Sequence, residues 1–150
     1  MRDTFTIKNE TGEDTFLVKG GIWPVFQHYR IADMAGDVKA TIRQRLSLPV
    51  PKYDVFIGGT KRATVKRRLT FGASYSISGI DWEVLGDVPA HNYRMSDLNG
   101  NVIMHLAKKK NVWGDNYEVD IANSKDELLS LCIALSIEMA TLLLRQMRDS

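Results

Sequence analysis

Cysteine is almost absent from this 150-residue sequence, which contains a single one, Cys132. One thiol cannot form an intramolecular disulfide, so nothing points to a disulfide-stapled fold or to an oxidising compartment. Because Cys132 lies in an apolar segment, we expect it to be a small core side chain and not a nucleophile. The N-terminal residues lack the apolar run of a secretory signal, and the cytoplasm is therefore the expected compartment.

A strong charge of either sign is also missing, since the formal net charge is +2. Whole-molecule electrostatics therefore give no argument for nucleic acid, which we disfavour as a partner. Catalytic and phosphate-binding motifs are missing as well: there is no GxSxG, no HExxH and no GxxxxGK followed by Ser or Thr. The sequence accordingly predicts neither an enzyme nor a cofactor or metal site.

Alternating apolar and polar residues dominate residues 4–121, with the period of two that is typical of β-strands. Glycine-containing turns such as Asp33–Gly36 and Asp97–Gly100 separate the alternating segments, as in β-hairpins. The hairpin units start about 18 to 24 residues apart. Each starts with an aromatic residue that we expect to be buried in a strand: Phe5, Tyr29, Tyr53, Tyr75, Tyr93 and Tyr117.

A long apolar helix is predicted over residues 124–148, after the last strand. Ser124 and Glu127 have the spacing of a capping box at its start. Few residues from 128 to 144 are polar, and a helix that is apolar nearly all round must be enclosed by protein or by lipid. The polar residues of this segment are Ser130, Ser136, Glu138 and Thr141.

The strands and the helix together predict one domain over residues 1–150. About twelve strands with one apolar face tend to close, because closure removes unpaired edges. A barrel of that size leaves an interior that the helix would fill. The predicted fold is therefore mainly β, a closed antiparallel barrel of about twelve strands enclosing a hydrophobic C-terminal helix.

A tail-anchored membrane protein, with residues 128–144 inserted in the bilayer, is the alternative. This segment is at the lower length limit for a membrane span. Glu138 near its middle would cost about 2.5 kcal/mol or more. Insertion would also leave the barrel without its filling, so the enclosed helix is the favoured prediction.

Glycine-turn hairpin units followed by an apolar C-terminal helix resemble the tubby C-terminal-like superfamily, and most of all its LURP-one-related family, whose small bacterial members are single domains of about this size. The segments Tyr29–Gly36 and Tyr93–Gly100 are similar to the Y-x-I-x-D-x-x-G units of that family, as is Phe5 with its Gly12 turn. The resemblance covers essentially the whole chain and implies a twelve-stranded barrel around a hydrophobic helix.

Two groups of the wider superfamily are linked to membranes: tubby proteins bind phosphoinositides, and the related phospholipid scramblases act at membranes. The present sequence matches neither the tubby phosphoinositide-site motif nor the cysteine-rich segment of the scramblases. No binding residue is therefore carried over from either group, and the resemblance implies no defined activity.

Three basic runs at strand ends are candidate binding residues. If the hairpin units repeat in space, the runs would gather on one rim and bind anionic phospholipid at the membrane periphery, or a protein partner. The alternative is that they are ordinary solvated strand ends that prevent edge pairing. The residues are Arg43, Arg45, Lys66, Arg67, Arg68, Lys108, Lys109 and Lys110.

Glu138 is a candidate polar site inside the barrel. An enclosed carboxylate must meet a hydrogen-bonding or charged partner, because an unpaired buried charge is very costly. Such a partner could be an Arg, Lys or Tyr of the barrel, or Glu138 could lie at a barrel mouth. A small ligand bound beside Glu138 is the functional alternative.

Overall fold

The structure is a computed structural model that describes residues 4–22, 27–46, 50–68, 74–111 and 114–149. For residues 4, 5, 21, 22, 27, 110, 111, 114–116 and 144–149 it describes the backbone alone. Eleven strands and one α-helix occupy these ranges: β1 (Thr4–Lys8), β2 (Asp14–Ile22), β3 (Gln27–Asp33), β4 (Val38–Arg45), β5 (Lys52–Ile57), β6 (Thr60–Arg67), β7 (Tyr75–Ser78), β8 (Trp82–Asp87), β9 (Asn92–Asp97), β10 (Val102–Asn111), β11 (Gly114–Ile121) and α1 (Glu127–Asp149).

The strands form two antiparallel meanders, β1 to β7 in one sheet and β8 to β11 in the other. The predicted hairpin turns are present between β3 and β4 and between β9 and β10. In the first, Asp33 Oδ1 accepts hydrogen bonds from the backbone N–H groups of Ala35 and Asp37, and Gly36 takes a φ of 93°. Only glycine adopts that backbone conformation without steric cost, which explains the Asp-x-x-Gly pattern.

The predicted closed barrel is seen only in part. The two sheets contact each other where β7 meets β8, but strand pairing within the described residues does not join them. β1 and β11 each end a sheet, so closure into twelve strands stays a prediction. Most of the extra strand that the sequence predicts at residues 22–26 lies outside the described residues.

Helix α1 lies in the core that the two sheets share, and it packs chiefly against β4, β5 and β6. Ile133 and Ile137 have no exposed surface. The buried hydroxyls of the helix bond back to its own carbonyls, Ser136 Oγ to Cys132 O at 2.8 Å and Thr141 Oγ1 to Ile137 O at 2.9 Å. Polar residues therefore sit in an enclosed helix without a buried, unpaired hydroxyl.

The start of the helix differs from the predicted capping box. A single 3₁₀ turn over Ser124–Asp126 precedes α1, and Asn123 is the N-cap. Asn123 Oδ1 accepts a hydrogen bond from the backbone N–H of Lys125 at 3.1 Å. An Asn side chain caps as well as Ser does, so the first capping residue in the chain takes the role.

The alternative prediction is a membrane span over residues 128–144. No helix within the described ranges is long and apolar enough to cross a bilayer. The described side chains of this segment are mostly buried against protein.

The tyrosines that begin the hairpin units mostly line the interior, as predicted. Tyr29, Tyr53, Tyr75 and Tyr93 are all buried, on β3, β5, β7 and β9. Tyr117 on β11 is the exception, with 46% of its surface exposed. The same position of the repeat is therefore covered by protein on four strands and open on the strand that ends the second sheet.

Candidate functional site

A buried polar cluster forms around Glu138, in the middle of the helix. Glu138 Oε2 lies 2.6 Å from His91 Nδ1, and Tyr93 Oη donates a hydrogen bond to Glu138 Oε1 at 2.8 Å. The side chains of His91 and Glu138 are 7% and 19% exposed. The predicted tyrosine partner is therefore present, and a histidine that the sequence did not point to shares the carboxylate.

His91 reaches Glu138 through an unusual turn between β8 and β9. Its backbone N–H donates to Val88 O at 2.9 Å, and its carbonyl accepts from the N–H of Lys108 on β10. Its φ is 55°, the only positive value for a non-glycine residue in the described chain. Histidine tolerates this left-handed conformation better than most side chains, and strained residues of this kind often occur at functional sites.

Two tyrosines beside the cluster remain protonated hydrogen-bond donors. Burial, and then the nearby carboxylate of Glu138, raises the pKa of Tyr93 far above its ordinary value. Burial also raises the pKa of Tyr75, whose Oη lies 3.1 Å from Thr141 Oγ1. Because the Thr141 hydroxyl already donates to the helix backbone, Tyr75 is the donor in this pair.

Cys132 takes no part in this chemistry. It is fully buried, and burial raises the pKa of its thiol to about 12. A thiol of that kind is a core side chain and not a nucleophile, as predicted.

An open cleft of about 1620 Å³ lies beside the Glu138 cluster, between β1, β11 and the helix. The helix contributes its floor, which is apolar apart from Glu127, Glu138 and Thr141. β1 and the turn after it contribute residues 6–10, β11 contributes residues 117–121, and Thr15, Tyr29, His91 and Leu106 complete the wall. Glu138 therefore has hydrogen-bonding partners and also lies next to open space. The sequence had offered these two situations, a partnered carboxylate and a carboxylate at an opening, as alternatives. The helix residues that line the cleft are Glu127, Leu131, Ala134, Leu135, Glu138, Met139, Thr141 and Leu142.

The first two basic runs come together on the sheet face formed by β4, β5 and β6. The strand register places Arg45 opposite Lys52, and Lys52 opposite Lys66, so three cations share one rung. Residues directly opposite in an antiparallel pair point to the same face of the sheet. Arg43 lies on that face, with its guanidinium 5.2 Å from the centre of the Phe56 ring.

Asp54 is the single carboxylate of these three strands, against eight lysines and arginines. Burial opposes its ionisation, but a hydrogen bond from Thr64 Oγ1 at 2.7 Å, then Arg45 and Lys61, outweigh burial and lower its pKa. We name the outer surface of Arg43, Arg45, Lys52, Lys61 and Lys66 around this carboxylate the basic face.

The remaining basic residues do not join the basic face. Lys108, Lys109 and Lys110 lie on β10 in the other sheet, and Lys109 Nζ is 3.9 Å from a carboxylate oxygen of Glu118. Arg67 alternates with Lys66 and pairs across the ladder with Tyr75. Arg68 is exposed just beyond the end of β6. The three basic runs therefore lie in two different sheets, and the structure brings the first two together but not the third.

The fold is also that of a solved protein. It superposes on the X-ray structure of an Arabidopsis thaliana protein, AT5G01750, with a TM-score of 0.62 and 19% sequence identity, covering 88% of this chain and 82% of that one. The protein thus has a tubby-like fold, mainly β with one C-terminal helix.

Sequence comparison gives the family. The family model described as LURP-one-related matches residues 1–138, and the chain belongs to the LURP-one-related family. It is 32% identical over 140 residues to the uncharacterized protein YxjI of Bacillus subtilis (strain 168), covering 93% of this chain and 86% of that protein. The resemblance stated from the sequence is thereby confirmed.

Proposed function

We propose that the protein is a binding module without catalytic activity, and that its basic face binds the anionic phospholipid surface of a membrane from the cytoplasm. The rung of Arg45, Lys52 and Lys66 carries this proposal. Three cations side by side on adjacent strands repel one another, and an anionic surface relieves that repulsion.

The exposure of the face suits a flat, charged partner. Arg43 and Arg45 are exposed, and Lys52 and Lys66 are half-buried. Asp54 does not neutralise the face, because Arg45 and Lys61 both lie within 3.3 Å of it and share its one charge. Each Lys or Arg near an anionic membrane surface contributes about 1 kcal/mol of binding free energy, and salt screens this contribution.

Liposome flotation tests the proposal. The protein is expected to float with vesicles that contain phosphatidylserine and to stay behind with vesicles of phosphatidylcholine alone. Replacing Arg43→Gln and Lys66→Gln together removes two cations and should weaken binding about 30-fold, from ~1 kcal/mol for each. Neither of these side chains hydrogen-bonds Asp54, so the variant should fold normally.

The matched control is Lys109→Gln with Lys125→Gln, which removes the same charge from exposed positions outside the basic face. Equal losses in both variants would show that net charge alone is sensed and would refute a defined face. If the protein binds neither vesicle, the lipid proposal is refuted. The basic face would then be tested as a binding surface for a protein partner.

A small polar ligand inside the protein, beside Glu138, is a second candidate. The supporting observation is that two buried polar atoms, Tyr53 Oη and Arg67 Nε, have no hydrogen-bond partner among the described residues. Such atoms are rare in folded proteins and commonly meet a water or a ligand. Arg67 lies opposite Tyr75 in the β6–β7 ladder, and the Tyr75 hydroxyl bonds Thr141 one helical turn from Glu138, so these groups face one interior.

Native mass spectrometry of the protein purified from cells tests this second candidate. A bound small molecule is expected in the native spectrum and should be lost in Glu138→Gln. The control Glu83→Gln makes the same change at an exposed position of β8 that does not line the cleft, and it should keep the bound molecule. A spectrum of the bare protein alone would refute the ligand.

A further inference from the structure

Arg67 turns its side chain towards the interior of the protein. It lies on β6 in line with Ala63 and Val65, which are both core residues, and alternate residues of a strand share one face of the sheet. The neighbouring Lys66 belongs to the opposite, outer face. Arg67 is half-buried as a whole, and its Nε atom is fully buried. A positively charged side chain therefore extends from the end of β6 into the core.

Two tyrosines flank this arginine on the same inner face. Tyr75 lies directly opposite Arg67 in the β6–β7 ladder. Tyr53 lies opposite Val65 in the β5–β6 ladder, which makes it a diagonal neighbour of Arg67. Diagonal neighbours in an antiparallel sheet are within reach of long side chains. We name Tyr53, Arg67 and Tyr75 the inner arginine site.

Hydrogen-bond donors of the inner arginine site are left unpaired. Tyr53 is 1% exposed, and neither its hydroxyl nor Arg67 Nε has a hydrogen-bond partner among the described residues. Burial, and then the neighbouring phenols, raises the pKa of Tyr53, so its hydroxyl stays protonated and can donate. The hydroxyl of Tyr75 is already bonded to Thr141. Unpaired buried donors are rare, and an acceptor from outside the protein would recover the free energy that they cost.

The charge of Arg67 is also unbalanced. Within the part of the chain that the structure describes, Arg67 forms no ion pair. Glu138 on the facing helix does not balance it, because the two carboxylate oxygens already bond His91 and Tyr93. A partly buried cation without a counter-charge is costly, so the complementary occupant is an anion.

The inner arginine site is separate from the cleft between β1 and β11. None of its three residues is among the described residues that line the cleft. Arg67 is the last residue of β6, and its side chain is only half-buried. A small anion can therefore reach the buried Nε from the end of the sheet, along the arginine side chain.

The donors present select a carboxylate among the possible anions. Arg67 Nε is one of the adjacent N–H donors with which a guanidinium group holds a carboxylate through two parallel hydrogen bonds. A carboxylate carries one charge, which one arginine balances, whereas a phosphate dianion would leave excess negative charge in the interior that Glu138 shares.

We therefore infer that the inner arginine site binds the carboxylate group of a small organic acid, with Arg67 as the paired donor and Tyr53 as a further donor. This inference rests on the second candidate function and names the chemical class of its ligand.

Saturation-transfer difference NMR with sodium acetate tests the inference. Acetate is the smallest carboxylate with a methyl group, whose signal reports contact with the protein. The methyl signal is expected to receive saturation from the protein, whereas acetamide, which has nearly the same shape and no charge, should not. Equal saturation of acetate and acetamide, or saturation of neither, would overturn the inference.

Two variants locate the binding site of acetate. Tyr53→Phe removes the hydroxyl alone and Arg67→Gln removes the charge, and each should weaken acetate binding about tenfold or more, as expected for a hydrogen bond to a charged group. Because the Tyr53 hydroxyl has no partner among the described residues, Tyr53→Phe should unfold at the same urea concentration as the parent, or a higher one, without acetate. The matched control Arg68→Gln changes an exposed neighbour and should bind acetate as the parent does. Undiminished saturation in both Tyr53→Phe and Arg67→Gln would place acetate elsewhere and overturn the inference.

The result can be separated from that of native mass spectrometry. A molecule retained in the native spectrum, together with no saturation of acetate, would overturn the carboxylate and keep a polar ligand of another class. A bare native spectrum, together with saturation that is lost in Arg67→Gln, would refute a resident ligand and support a site that binds acids reversibly.

Discussion

The helix meets two very different surroundings on its two sides. Towards β4, β5 and β6 it packs into a dry core, and the outside of the same strands carries the basic face. Towards β1 and β11 it borders an open cleft with an acidic rim. One side of the molecule therefore has a complete interior and a cationic exterior, and the other has an incomplete interior and an anionic border.

Sheet continuity distinguishes the two sides of the described structure. Where strands pair without interruption, side chains fill the interior. Between β1 and β11, which do not pair with each other among the described residues, the interior borders the cleft. Variants that affect the two sides unequally test this contrast.

The largest effect is expected on the packed side, for Ile137→Ala. Ile137 has no exposed surface, so the change removes buried methyl and methylene groups and leaves a cavity. We expect a loss of about 2–5 kcal/mol in the free energy of unfolding, measured by urea denaturation. Ile137→Val is the control and should cost about 0.5–1.5 kcal/mol. Losses below about 0.5 kcal/mol in both Ile137→Ala and Ile137→Val would show that the helix is loosely packed on this side too.

A smaller effect is expected where the two sides meet, for Glu138→Ala. The change leaves the imidazole of His91 and the hydroxyl of Tyr93 without their carboxylate partner. We expect a total loss of about 1–3 kcal/mol, because the cost is mainly that of the Tyr93 hydroxyl, whereas His91 keeps its ring contact with Tyr117. A double-mutant cycle with Tyr93→Phe should give a coupling energy of about 0.5–3 kcal/mol, and additive losses would show that the hydrogen bond contributes nothing.

The hairpins and the helix could be predicted because their signals are local. Asp33 and Gly36 are three residues apart, and the turn that they form needs no other part of the chain. The apolar character of residues 128–144 likewise predicts an enclosed helix without knowledge of what encloses it. Most unit-first tyrosines proved to be buried for the same reason, since alternation fixes which face a strand residue occupies.

The polar cluster and the exposure of Tyr117 could not be predicted, because they depend on distant parts of the chain. His91 and Tyr93 lie 47 and 45 residues from Glu138 in sequence, and no pattern joins them. The turn at Pro89 and Ala90 before His91 was the available signal, since it breaks the regular Asp-x-x-Gly turns. Tyr117 is exposed because its strand ends a sheet, and sheet ends are set by the placement of both sheets.

The basic face was half predictable. Arg45 and Lys66 belong to two successive hairpins, and successive strands of a meander are neighbours, so their proximity follows from the order of strands. Lys52 was missed because it is not part of a basic run, although its strand lies between the other two. Asp54 was missed because its role depends on register, which places it opposite Arg43 and two residues along its strand from Lys52.

Asp54→Asn tests the packed side at its outer surface and should cost about 1 kcal/mol at neutral pH, since the partners Arg45 and Lys61 are half exposed and screened. Because folding lowers the pKa of Asp54, its contribution is complete above the ordinary aspartate pKa and is lost as the pH falls through the folded value. The difference in unfolding free energy between parent and variant, followed by urea denaturation, should therefore shrink on acidification. A difference that stays constant with pH would contradict the hydrogen-bonded carboxylate.

The smallest effect is expected on the cleft side, for Leu142→Ala. The side chain of this leucine is 53% exposed. Its truncation should therefore change the free energy of unfolding by less than about 0.5 kcal/mol. Leu98→Ala, at a turn where the side chain is 69% exposed, is the control. A large loss of stability in Leu142→Ala alone would mean that the cleft is closed in solution by the protein itself, and the contrast between the two sides of the helix would then fail.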